Sequence, residues 1–212
     1  NTGSAYDSAA SFDIDIAGDS AFVPERFAQA NAQDGSIDSI RVRSRFPERR
    51  IQDYDTTSYR VLAGLRGELA DWSWETAAIY GKTDNEITHV SGYIGKDKLD
   101  AAIADGSYNP FNLGRDNSDA VLASVRELAP RKGESEVMSL DFNIAGNLAI
   151  ELPAGAVSAV FGGEFRSEEI SDNPAAVAQS DGIYGLGASD AKADRNQYAV
   201  YGEFNVPITD SL

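Results

Sequence analysis

Five stretches of the chain alternate apolar and polar side chains with a period of two, at 55–69, 72–84, 135–151, 155–169 and 195–206. In EVMSLDFNIAGNLAI (136–150), Met138, Leu140, Phe142, Ile144 and Leu148 share one parity, and Ser139, Asp141, Asn143 and Asn147 share the other. Successive side chains of a strand point to opposite sides of the pleat, so this spacing predicts strands with one apolar and one polar face. The split recurs as Tyr59, Val61, Ala63, Leu65 and Leu69 against Arg60, Arg66 and Glu68, then as Trp72, Trp74, Ala78 and Tyr80 against Ser73 and Glu75. Later it sets Val157, Ala159, Phe161 and Phe165 against Ser158, Glu164 and Arg166, and Tyr198, Val200, Phe204 and Val206 against Gln197, Glu203 and Asn205. Aromatic and β-branched content, with turn residues at the edges, supports the assignment.

The connections say what the apolar faces touch. Ala70-Asp71 and 152–154 are tight turns, whereas 85–134 and 170–194 are long. Short turns alternating with long loops are the signature of an outer-membrane barrel, and loops beyond ~15 residues are uncommon in compact soluble domains. Each stretch also meets the ~9–11 residues that a tilted membrane strand needs. Trp72 and Trp74 follow the first short turn and Phe204 precedes the last, while Tyr80 and Phe165 lie toward the far ends. Two aromatic girdles flank such a barrel. The fold expected is all-β: antiparallel up-and-down strands of a partial transmembrane β-barrel, with short periplasmic turns and long extracellular loops at 1–47, 85–134 and 170–194. On this reading the apolar parity meets outer-membrane lipid, and Arg60, Arg66, Glu164 and Arg166 face a hydrated lumen.

Composition narrows the alternatives. A formal net charge of -16 argues against nucleic acid, which wants a basic surface. The absence of cysteine removes disulfides, thiolate nucleophiles and cysteine metal sites together. No stretch approaches the ~18 apolar residues of a membrane helix, and the longest candidate, 148–163, is interrupted by Glu151 and Pro153. The opening NTGSAYDSAASFDIDIAGD has neither an initiating Met nor a signal peptide, so a mature, processed or fragmentary chain is expected.

Several segments resemble TonB-dependent outer-membrane receptors. TTSYRVLAGLRGELADWSWETAAIYGKTDNE (56–86) is similar to a strand–turn–strand of that family, in which a Tyr-Arg strand ends in Gly-x-Leu, turns at Asp-Trp and returns to Tyr-Gly. LDAAIADGSYNPFNLG (99–114) resembles its extracellular loops, FVPERFAQA (22–30) an earlier loop element, and AVFGGEFRSEEIS (159–171) and ADRNQYAVYGEFNVPI (193–208) later barrel strands. The resemblance covers most of the chain and lies in the order of individually weak motifs. It implies a barrel of about twenty-two strands around an N-terminal plug. Since the smallest bacterial barrel has about 8 strands, 1–212 would be a middle segment. The implied partners are the plug, the remaining strands, the TonB energy-coupling protein, and a small-molecule substrate such as a siderophore, cobalamin or oligosaccharide. The implied location is the outer membrane of a Gram-negative bacterium.

Catalytic constellations are poor. The one histidine, His89 in ITHVSGY, stands at a loop edge without nucleophile or metal spacing and is expected to be solvated. DIDIAGDS (13–20) places Asp13, Asp15 and Asp19 near Gly18 as in half a calcium loop, but lacks the third ligand position and the closing Glu; Asp116, Asn117 and Asp119 form a second such cluster. Solvated turns are the simpler reading of both. Helical spacing at 99–105 and 119–128 predicts short helices that order the long loop. Loop aromatics on a rigid scaffold are candidate ligand contacts: Tyr93, Tyr108, Phe111 and Tyr184. No catalytic residue, metal or cofactor is expected, because import is binding and conformational release. The alternative is a soluble, secreted all-β binding or adhesion domain, in which Met138, Leu140, Phe142 and Ile144 are buried against a second sheet. A β-rich hydrolase finds no positioned carboxylate pair to support it.

Overall fold

The computed structural model describes residues 2–9, 11–35, 37–112 and 117–209. In chain order these form β1 (Thr2–Asp7), β2 (Ser11–Ala17), α1 (Glu25–Asp34), β3 (Ser39–Arg45), β4 (Arg50–Leu69), β5 (Trp72–Ser91), α2 (Lys96–Ala104), a 3-10 turn (Pro110–Asn112) and α3 (Asp119–Val125). Then follow β6 (Arg131–Leu152), β7 (Gly155–Pro174), α4 (Ala176–Gln179) and β8 (Ala191–Asn205). The protein is mostly antiparallel β. One sheet has the order β1-β4-β5-β6-β7-β8, so its last five strands are neighbours both in sequence and in space; β2 and β3 form a separate pair. Among the described residues no closed barrel is present and the six-stranded sheet is open.

The five alternating stretches are strands, and each is longer than its pattern suggests. β5 continues to Ser91, β6 starts at Arg131 and β7 reaches Pro174. Their extensions are mostly polar, with Ile87 and Val90 on opposite parities and Ile170 isolated, and so leave no apolar period to read. The segment 1–47, expected as a loop, holds β1, β2, α1 and β3 instead. In β2, Phe12, Ile14 and Ile16 are buried while Asp13 and Asp15 are exposed, which is itself a period-two pattern. Within 85–134, α2 and α3 sit where helical spacing predicts helices. The Ser118 side chain caps α3 by accepting from the Val121 N–H at 3.3 Å, with Asp119 in the first turn where the helix dipole favours an acid.

The chain divides into two compact units. The loop unit comprises Asn1–Thr56, Asn85–Lys132 and Asn173–Asp190; the strand unit comprises Thr57–Asp84, Gly133–Asp172 and Ala191–Leu212. Both apolar cores lie in the loop unit. The larger gathers Phe12, Ile14, Ile16, Phe46, Ile94, Leu99, Tyr108, Leu122 and Val125, uniting β2 with α2 and α3. The smaller gathers Tyr93, Ala129, Ala178 and Ile183. Among the described residues of the strand unit, Val157 and Ala159 are the buried apolar side chains.

Candidate functional site

In the strand unit the apolar parity forms a band. It spans 59–69 on β4, 72–80 on β5, 138–148 on β6, 157–165 on β7 and 198–206 at β8, nine to eleven residues on each. The register of β7 with β8 pairs Ala159 with Phe204, Phe161 with Gly202 and Phe165 with Tyr198. Like thus faces like across the sheet, and a slip of one residue would move every apolar side chain to the polar face. Apart from the buried Val157 and Ala159, the band is exposed or half-exposed: Val200 is 90% and Leu65 69% accessible. Of the four side chains expected in a sandwich to be buried against a second sheet, Met138, Leu140 and Phe142 are exposed and Ile144 is half-buried.

Aromatic pairs border the band. Toward one end Tyr59 meets Tyr80 at 6.0 Å between ring centroids and Phe165 meets Tyr198 at 5.1 Å. Beyond them the same parity turns charged, with Lys82 bonded to Glu134 at 2.8 Å and Lys192 to Glu169 at 2.7 Å. Nearer the tight turns, Trp72 stacks on Phe161 at 6.3 Å, and Phe161 meets Phe204 edge-on at 5.5 Å. Gly146 makes room for this row, because a Cβ there would stand 2.5 Å from the Trp72 ring. The opposite face is the more polar one: Arg60, Arg66, Glu164 and Arg166 all lie there and are exposed, beside the exposed Leu62 and Tyr201. Arg166 pairs with Glu164 at 3.1 Å, Arg195 pairs with Glu168, and the hydroxyls of Ser58 and Thr83 meet at 2.9 Å.

In the loop unit the four candidate aromatics separate. Tyr93 and Tyr108 are core side chains, 2% and 0% exposed, which leaves them no surface for a ligand. Tyr93 accepts from Gln52 Nε2 at 2.7 Å, lies under the Arg50 guanidinium at 4.8 Å and takes the edge of His89 at 4.2 Å. Phe111 is half-buried against the larger core, with its backbone N–H donating to Asn109 Oδ1 at 3.1 Å. Tyr184 borders a cleft, with its ring 5.0 Å from Phe12 and the Lys96 ammonium 5.6 Å above it. Burial first, then Asp100 and Asp15, push its phenol up to about 12.

His89 corrects the solvated-loop expectation. It lies in β5, buried, with Nδ1 against the Ala129 carbonyl, and burial holds its pKa below the ordinary range. The solvated-turn expectation for 13–20 is corrected for two of its acids, which lie in a strand. Asp13 and Asp15 stand on β2 opposite Arg43 and Arg41 of β3, each joined by two hydrogen bonds of 2.8–3.1 Å. Asp116 lies outside the described residues. Asn117 is buried and clamps the Asn109 backbone, accepting from its N–H at 2.7 Å and donating to its carbonyl at 2.9 Å. Among the described residues no cluster of His, Cys, Asp or Glu could hold a metal ion.

Arg50, missing from the sequence reading, positions Tyr184 by donating to the carbonyls of Tyr184 and Gly185. Glu48 and Arg126 form a second tie, from Nε to Oε2 at 2.7 Å, with the Ser91 hydroxyl donating to the same oxygen at 3.2 Å. That hydrogen-bonded guanidinium holds the Glu48 carboxyl below the usual range. Both ties join residues far apart in sequence, so local pattern carries no signal for them. Among the described residues no helix is long and apolar enough to cross a membrane. No protein-family model, curated protein or solved structure matches the chain.

Proposed function

We propose that the chain is a segment of an outer-membrane, energy-coupled receptor of the TonB-dependent type, which captures a scarce small molecule and imports it without covalent chemistry. The observation that carries this reading is the two-faced strand unit. One face is a largely exposed apolar band nine to eleven residues tall, bounded by aromatics and then by charges; the other carries most of the charged and polar side chains. In water such a patch far exceeds what a soluble monomer exposes, whereas hydrocarbon solvates it. The polar face, with Arg60, Arg66, Glu164 and Arg166, then lines the lumen toward the plug. The packed loop unit serves as the extracellular capture region. Import energy enters through TonB at the plug, and the substrate class is siderophore, cobalamin or oligosaccharide.

The test is folding in two solvents. The chain is refolded in plain buffer and into phospholipid vesicles or detergent, with circular dichroism and the fluorescence of its two tryptophans as readouts. Strand signal that needs lipid, with Trp72 and Trp74 quenched by bromines placed near the headgroups, is the expected result. A monodisperse chain that melts cooperatively in plain buffer would instead assign the apolar band to a protein partner, and a soluble, secreted binding domain would replace the receptor.

A further inference from the structure

We propose that His89 is an acid-sensitive latch of the loop unit: a proton added to its imidazole loosens the hold of Arg50 on the glycine-rich segment 182–187. β4, β5 and the approach to β6 meet at this point. β5 brings the His89 ring, 6% exposed, against the Ala129 carbonyl just before β6, and β4 brings Arg50. Tyr93 stands between them, with its ring centroid 4.2 Å from that of His89 and 4.8 Å from the Arg50 guanidinium carbon.

A carbonyl only accepts, so Nδ1 carries the proton of the neutral ring and Nε2 is bare. The next proton therefore enters at Nε2, in a buried position with little water to solvate the charge. The charged groups that face the ring oppose it further. Arg50 on β4 and Arg131 at the start of β6 are both cations, and both disfavour a charged imidazole. Asp7 of β1 stands opposite Arg50 in register, but its carboxylate accepts from the Ser8 N–H at 2.6 Å. The Tyr93 phenol already accepts from Gln52 Nε2 at 2.7 Å, and its ring already receives the Arg50 cation. Burial first, then the two arginines, hold the imidazole pKa below the ordinary range.

Arg50 is the member of this cluster that can yield. The bond from Nδ1 to Ala129 survives protonation, because a charged ring still donates there. Arg50 forms no ion pair among the described residues, and its Nε is buried without a partner. What it grips are the carbonyls of Tyr184 and Gly185, and a guanidinium that moves away from a charged His89 releases both. The segment so released carries glycine at 182, 185 and 187, and its Ile183 is fully buried in the smaller core with Tyr93 and Ala129. The neutral ring belongs to the closed arrangement. The latch is therefore shut above about pH 6.5 and opens as the pH falls from there through the lower folded-state value.

The inference concerns the loop unit alone and does not depend on what solvates the strand unit. Its test is hydrogen–deuterium exchange of the folded full chain at about pH 7.5 and about pH 5, read on peptides covering 182–187 and corrected for intrinsic exchange chemistry. The lower pH still leaves Glu48 charged, so its tie to Arg126 stays intact. Opening of the segment should rise about ten-fold at the lower pH, since each pH unit below the ordinary imidazole value favours the open state by up to that factor. In His89→Asn, whose amide N–H replaces the Nδ1 donor and takes no charge, the rise should stay below about two-fold. An equal rise in His89→Asn and the parent chain, or no rise in the parent, overturns the proposal. Should His89→Asn fail to fold, an NMR titration of the chain's one histidine carries the test. A midpoint below the ordinary 6.5 supports the latch, and one at or above it overturns the latch. A requirement for lipid in folding would change neither readout.

Discussion

The two units use similar residues for opposite ends. In the loop unit Leu99, Tyr108, Val125 and Ile183 have no accessible surface, whereas in the strand unit every residue of β8 is exposed. β2 and β8 follow the same alternating rule, yet β2 alternates exposed with buried while β8 shows no burial contrast at all. An apolar parity therefore states only that a face avoids water. Whether protein or lipid covers that face depends on whether other elements of the chain return to it, and in the loop unit α2 and α3 do.

Substitutions in the two apolar regions break the comparison most strongly. Leu99→Ala should cost roughly 2–5 kcal/mol, as for any fully buried leucine, whatever solvates the rest of the chain. Leu140→Arg should cost about 2–4 kcal/mol in phospholipid vesicles, measured by reversible denaturant unfolding. If Leu140 faced water, the same change would stay within about 0.5 kcal/mol, and the strand unit would need no lipid. Gly146→Val sharpens the picture of the Trp72 row. The added side chain drives the indole out of its stack with Phe161, at a cost of about 1–3 kcal/mol and with a visible change in tryptophan emission.

The next prediction concerns the polar ties of the loop unit. Glu48 has a folded-state pKa below its ordinary 4.5 because Arg126 stabilises the carboxylate. The contribution of this pair to stability is therefore complete above about pH 4.5 and is lost as the pH falls through the lower folded-state value. Glu48→Gln should flatten that acid limb of a pH-dependent melting curve and cost about 1–3 kcal/mol at neutral pH. The smallest effect is a gain. Ala70 turns between β4 and β5 at φ 52, a left-handed conformation that alanine adopts reluctantly, so Ala70→Gly should stabilise the hairpin by about 0.5–1 kcal/mol.

Where local chemistry decided the structure, it was readable. The five long strands, the tight turn at Ala70-Asp71 and the two loop helices all follow from period and turn residues. The β2–β3 pair was readable too, since FDIDIA alternates strictly and the Arg-x-Arg of β3 answers the Asp-x-Asp of β2. The same carboxylates also match cation-loop spacing, so the segment carries two patterns, and the strand pairing with β3 is the one the fold uses. Burial of His89, Tyr93 and Tyr108 could not be read this way. Each is enclosed by residues remote in sequence: His89 by the Ala129 carbonyl, Tyr93 by Gln52 and Arg50, and Tyr108 by the core around β2. Tyr184 borders a cleft and keeps accessible surface, and Arg50 ties its backbone.

The open ends of the six-stranded sheet bear on how the chain assembles. β8 pairs with β7 on one side only, and β1 pairs with β4 only along 50–55, so 57–69 of β4 forms the other edge. Each edge carries a row of amide and carbonyl groups that hydrocarbon cannot satisfy and that water satisfies only until another strand arrives. On the receptor reading, folding of the strand unit calls for further strands to cover those edges. Further strands supplied in cis would make it first order. With this chain alone, edge would meet edge between molecules, and the strand signal would rise with protein concentration.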